Sequence, residues 1–233
     1  MTLPEAPTHE FRIRIYKPGR RGTEPLPVLL WFHGGMWCAG DVNTEDIGCR
    51  AIITTVFSDA ENAMKWVVTN ASAHGGDPCQ GFIVGGANAG AHLAASRAVR
   101  ARGRHRQVEI TGQLLVVPML IAYSYNALPE AWAARLYSHV DCANVSQDAK
   151  RKGESFLVRA TLEGLPPTCL AMDEVHPIRD DGFLYEHLLW EARVKTRVDY
   201  YRGLPDMFVQ FSNLSPTFQA GIRLSAGVKW PLD

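Results

Sequence analysis

The segment from Ile83 to Gly90, Ile-Val-Gly-Gly-Ala-Asn-Ala-Gly, constrains the fold of this chain more than any other. Gly81 to Gly85 opens on an apolar run that reads as a buried strand, and Ala89 to Arg102 has helical spacing. Between them lies G-x-N-x-G, the frame of a strand–turn–helix elbow whose usual form is G-x-S-x-G. Such an elbow lifts its central side chain above the sheet edge. Asn88 occupies the serine position of the frame. A carboxamide has no hydroxyl to deprotonate and forms no acyl intermediate. Asn tolerates positive φ better than most residues, so the sharp turn survives the replacement.

Around the elbow, strands and helices alternate, which predicts a mostly parallel central sheet with helices on both faces. Phe11 to Tyr16 alternates with period two and suits an outer strand, while Pro27 to Phe32 is a continuous apolar run that suits a buried one. Ala60 to Ala73 has helical spacing. Further strands are expected at Gln113 to Pro118, Thr168 to Met172 and Thr196 to Tyr201, with helices at Arg179 to Ala192 and from about Pro216 to Val228. Asn126 to Leu162 is a polar region. No internal repeat is present, and a chain of 233 residues suits a single domain over 1–233.

Charge excludes some partners. Lys and Arg number 24 and so do Asp and Glu, so the balance favours neither nucleic acid nor an anionic membrane surface. The apolar run Leu114 to Ala122 is interrupted by Pro118 and is too short to span a bilayer. Residues 1–17 lack a signal-type apolar stretch, so a soluble, cytoplasmic protein is expected. The five cysteines are scattered and read as reduced thiols. No His, Cys or carboxylate pair has metal-ligand spacing, and no cofactor is expected. The arginines 97, 100, 102, 104 and 106 read as a solvated helix end that complements the helix dipole.

His33-Gly34-Gly35-Met36-Trp37 directly follows the strand ending at Phe32. With the elbow, this loop resembles the hormone-sensitive-lipase branch of the α/β-hydrolases, whose HGGG-type loop donates oxyanion-hole amides. Fungal esterase-like members, some acting on acetylated polyketide intermediates, are the best parallels. The likeness extends through 44–50, 66–93, 165–188 and 203–230. It implies an α/β-hydrolase fold, carboxylic ester hydrolysis as the ancestral activity, and oxyanion donors at the amides of Gly34, Gly35 and Ala89. The two glycines also have the plainer reading of permitting a tight turn.

All three triad positions implied by the resemblance depart from the family's residues. Asn88 stands for the serine. His176, in His176-Pro177-Ile178-Arg179-Asp180-Asp181-Gly182, stands for the acid, and Asp206, in Gly203-Leu204-Pro205-Asp206, stands for the histidine. The exchange leaves two readings open. Drift after the loss of serine is favoured, leaving a degenerate homologue that binds a small hydrophobic ester or carbonyl metabolite, as plant gibberellin receptors of this branch bind ligand without a working triad. Alternatively, Asp206 and His176 form a hydrogen-bonded pair that moves a proton beside a carbonyl under the oxyanion amides, in an elimination, isomerisation or cyclisation. A residual ester hydrolase using directly activated water is a third form of the enzyme reading.

Asp173 is weighed as a displaced acid but reads better as a strand end, and His74 as a helix C-terminal residue. His92 either lines the site or packs against the sheet. Ser58, Ser72, Ser96 and Ser155 read as caps, turns or surface residues. Relatives carry a longer N-terminal cap portion and a strand between the helix after the oxyanion loop and the next helix. Here Ala51 to Thr55 runs straight into Val56 to Ala60. A reduced cap and a missing strand are therefore expected, with the oxyanion-loop strand exposed unless Phe11 to Tyr16 or Ile52 to Val56 covers it. An open edge of that kind favours self-association.

Overall fold

Strands with no polar face must be covered on both sides, and the chain meets that demand with a parallel sheet between two apolar layers. The computed structural model describes residues 12–17, 24–35, 56–102, 108–120, 161–176, 178–204 and 226–230. The strands are β1 (Val28–Phe32), β2 (Phe82–Ala87), β3 (Gly112–Val116), β4 (Thr168–Asp173) and β5 (Thr196–Tyr201). They lie in the order β1-β2-β3-β4-β5, every neighbouring pair parallel. Parallel neighbours need crossovers, and α1 (Val56–Asn70), α2 (Ala89–Ala101) and α3 (Arg179–Glu191) lie in the connections after β1, β2 and β4.

Alternate strand residues face opposite layers. Leu30, Phe32, Val84, Leu115, Leu170 and Met172 join residues of all three helices in one core cluster. Trp31, Ile83, Leu114, Val116, Cys169 and Ala171 form the second, against Leu204, Val228 and Trp230. The short helical turn at 226–229 thus covers the face that the three long helices leave open. Cys169, buried beneath it, has its thiol pushed up to about 12, chiefly by loss of solvent and then by Asp199. Cys169 and Cys79 are free thiols.

The expected elements that fall within the described residues stand with small changes of boundary, apart from the outer strand. Residues 12–17 form no strand; Ile13 reaches the helix-side core while Ile15 and Tyr16 stay exposed. Accordingly β1 is the outermost of the five strands among the described residues. Val56 begins α1, so the end of the second covering segment is helical, and α1 starts four residues before Ala60. A 3₁₀ turn over Ala71–His74 follows and ends at Gly75, whose φ of 80° needs glycine. His74 is the last residue of that turn, as expected, and stacks on Trp66 at 6.0 Å between ring centroids. Residues 36–55, 121–160 and 205–225 lie outside the described residues, and with them Asp206, the polar region, Ser155 and the first part of the last helix.

Within the arginine run Arg100 is exposed in the last turn of α2, as expected, and Arg104 and Arg106 lie outside the described residues, but Arg97 does not face solvent. Arg97 is 2% exposed and its Nη1 lies 3.3 Å from Glu61 Oε2 on α1. Arg102 leaves α2 to donate from Nη1 to the carbonyls of Thr161 and of Glu163, the latter at 2.7 Å. A guanidinium on the inner face of a helix must keep its charge paired, so it ties α2 to α1 instead of facing water. Glu61→Ala is expected to lower stability by about 1.5–3 kcal/mol in a urea melt, the usual worth of a hydrogen bond to a charged group. Ser96 is likewise buried on α2, not a cap or surface residue.

Candidate functional site

The ends of β1 to β4 meet at one edge of the sheet, and Asn88 stands at its apex. β2 ends at Ala87, Asn88 adopts φ 52° and ψ −116°, and α2 starts at Ala89. The turn is this sharp because its glycines allow backbone to touch backbone. A Cβ on Gly90 would lie 2.1 Å from Phe32 O and 2.4 Å from His33 O, and one on Gly86 would lie 2.4 Å from Gly90 C. The elbow therefore sits directly on the end of β1, where the His33-Gly34-Gly35 loop begins. Gly35 has φ 140°, a conformation L side chains rarely adopt, and His33 Nδ1 donates to Gly34 O at 2.6 Å.

Asn88 is 4% exposed and held on every side. Its N–H donates to Val116 O at 2.9 Å, and its carbonyl accepts from Met119 N–H at 3.2 Å and His92 N–H at 3.3 Å. The side-chain oxygen Oδ1 accepts from Ala89 N–H at 2.9 Å. The elbow path expected from the motif is present, but the amide of Ala89 already donates a hydrogen bond to the apex side chain. A carbonyl or oxyanion ligand at that amide must share the donor or displace Oδ1.

His176 lies on the loop between β4 and α3, buried. Its Nδ1 accepts from Ile178 N–H at 3.1 Å, so in the neutral ring the proton sits on Nε2. His92 takes the opposite tautomer: its Nδ1–H donates to Met119 O at 3.0 Å. His92 is 3% exposed and turned to the loop after β3. Burial drives its pKa from 6.5 down to about 4, against a smaller raising effect of the Met119 carbonyl. Asp173 closes β4, the strand-end place expected for it, fully buried. Asp206 lies outside the described residues, and the His176–Asp206 pair with it.

One site residue escaped the sequence reading. Asp181, buried at the start of α3, accepts Leu120 N–H on Oδ2 at 2.9 Å and so reaches the loop after β3. Its signal was the second aspartate of Arg179-Asp180-Asp181-Gly182, which alone does not distinguish a helix-start charge from a buried acceptor. Among the described residues, no group of three His, Cys, Asp or Glu could hold a metal ion. A cavity of about 440 Å³ lies among Leu26, Gly75, Asp77, Pro78 and Cys79, by the starts of β1 and β2 and away from the apex. No described helix is long and apolar enough to cross a membrane.

Known proteins are similar to this chain in sequence and fold. The model of a family described as alpha/beta hydrolase fold matches residues 53–210. The versiconal hemiacetal acetate esterase of Dothistroma septosporum is 28% identical, over 99% of this chain and 81% of its own. The carboxylesterase NlhH of Mycobacterium tuberculosis is also 28% identical, over 88% of this chain and 73% of its own. Among solved structures, the esterase of Pyrobaculum calidifontis superposes with a TM-score of 0.66 at 27% identity, covering 90% of this chain and 78% of the other.

Proposed function

Because this chain belongs to the α/β-hydrolase fold family and its relatives are esterases, we propose that it retains the binding frame of a carboxylesterase without the serine chemistry, and that it binds a small hydrophobic ester or carbonyl metabolite. The observation that carries this reading is the apex itself. Asn88 has no hydroxyl, and its Oδ1 is hydrogen-bonded to the Ala89 amide at 2.9 Å. An acyl-enzyme needs a nucleophile with a base beside it, and Asn88 supplies no nucleophile. His176, with Nδ1 engaged by Ile178 N–H, offers a donor at the place where the family pattern has an acid.

Hydrolysis of p-nitrophenyl acetate and p-nitrophenyl butyrate tests the reading. Wild type and Asn88→Ala are both expected to match the protein-free rate, and Asn88→Ser is expected to remain close to it, because the other two triad positions are substituted as well. Turnover by wild type well above the protein-free rate would sink the binding-protein reading. The proton proposed for His176 Nε2 favours a second reading, in which that N–H orients the carboxylate of Asp206 for general-base chemistry worth about 10²–10⁴-fold in rate. Under that reading, Asp206→Ala abolishes turnover while Asn88→Ala leaves most of it.

A further inference from the structure

Two of the non-glycine residues with positive φ, Asn88 at 52° and Val117 at 41°, stand at the ends of adjacent strands. Val117 is the more telling, since a β-branched side chain is a genuine outlier there. Each such residue carries strain of about 1–3 kcal/mol, and it persists only where the surroundings over-determine it. Residues 117–120 are over-determined in that sense. Val117 N–H donates to Ala171 O at 2.7 Å, and Met119 N–H donates to Asn88 O at 3.2 Å. The Met119 carbonyl accepts from His92 Nδ1–H at 3.0 Å, and Leu120 N–H donates to Asp181 Oδ2 at 2.9 Å. The loop is thereby tied to β4, to the elbow, to α2 and to α3.

We propose that residues 117–120 form a clasp through which the side chains of Asp181 and His92 position the apex of the elbow. Asn88 O and Ala89 N–H belong to one planar trans peptide, in which they point in opposite directions. Pinning the carbonyl on Met119 N–H therefore aims the Ala89 N–H on the other side of the same plane. Asp181 and His92 hold Met119 and Leu120 in place from two separate helices. Neither side chain is a catalytic residue, because each acts on the apex only through the loop. The clasp works on backbone atoms, so it stands whether or not wild type turns over esters.

Amide hydrogen exchange on the ¹⁵N-labelled full chain tests it. Asp181→Ala and His92→Phe are each expected to speed exchange at Met119 and Ala89 by at least about tenfold relative to Leu170, a central-strand amide that reports global opening. Asp181→Asn keeps an acceptor oxygen and is expected to restore most of the protection at Met119 and Ala89. It loses only the charge assistance, so Leu120 exchanges a few-fold faster and Leu170 does not. If Met119 and Ala89 change only in step with Leu170, or not at all, the clasp is wrong. If Asp181→Ala fails to fold, Asp181→Asn carries the test, and a Leu120 rate equal to wild type overturns the proposal.

Discussion

Gly90→Ala is expected to destabilise the protein by at least about 3 kcal/mol, the upper range of overpacking, and to broaden or abolish the cooperative urea transition. The added methyl would lie 2.1 Å from Phe32 O and 2.4 Å from His33 O, both backbone atoms of the β1 end that no rotamer change can move aside. Relief would require pulling α2 away from β1 and opening the core that contains Phe32, Ala91 and Ala94. Gly203→Ala is the control. Its φ of 68° disfavours a side chain, but nothing lies within 4 Å of the new Cβ, so it should lose only about 1–2 kcal/mol. Similar losses for the two variants would mean that the elbow is not seated on β1.

Acidification should produce the second large effect. His92 is held neutral by burial, with its pKa lowered to about 4, while the unfolded chain takes up its proton near 6.5. Below pH 6.5 the unfolded state binds a proton that the folded state refuses, so stability falls as pH falls. The loss starts near 6.5 and is complete by about 4, and above 6.5 this group contributes no slope. A shift of that size corresponds to about 3 kcal/mol. Urea midpoints at pH 7 and pH 4.5 measure it in wild type and in His92→Gln, which keeps an N–H for the Met119 carbonyl but does not titrate. Wild type should lose more stability than the variant over this interval. Equal losses would mean that other groups carry the acid sensitivity.

Much of the fold was legible because its strongest signals are local. A short continuous apolar run near Gly or Pro reads as a buried strand, and four such runs became β1 to β4. The period-two segment at 11–16 misled, since alternation is equally satisfied by a half-exposed stretch such as Ile13 to Tyr16. Arg97 misled for a related reason. Spacing assigns Arg97 to α2, but only the neighbouring helix decides whether that position faces water or Glu61.

The elbow shows where the boundary falls. The residues Gly86, Asn88 and Gly90 by themselves determined a strand–turn–helix with positive φ at its centre, and they excluded a serine nucleophile, because backbone conformation and hydroxyl chemistry are properties of residue type. Which way Asn88 Oδ1 turns, which amide it takes, and how the loop after β3 clamps the apex were left to tertiary structure. Those features depend on residues such as Met119 and Asp181, distant along the chain, whose polar atoms find partners only when β3 and α3 close around the elbow and exclude water.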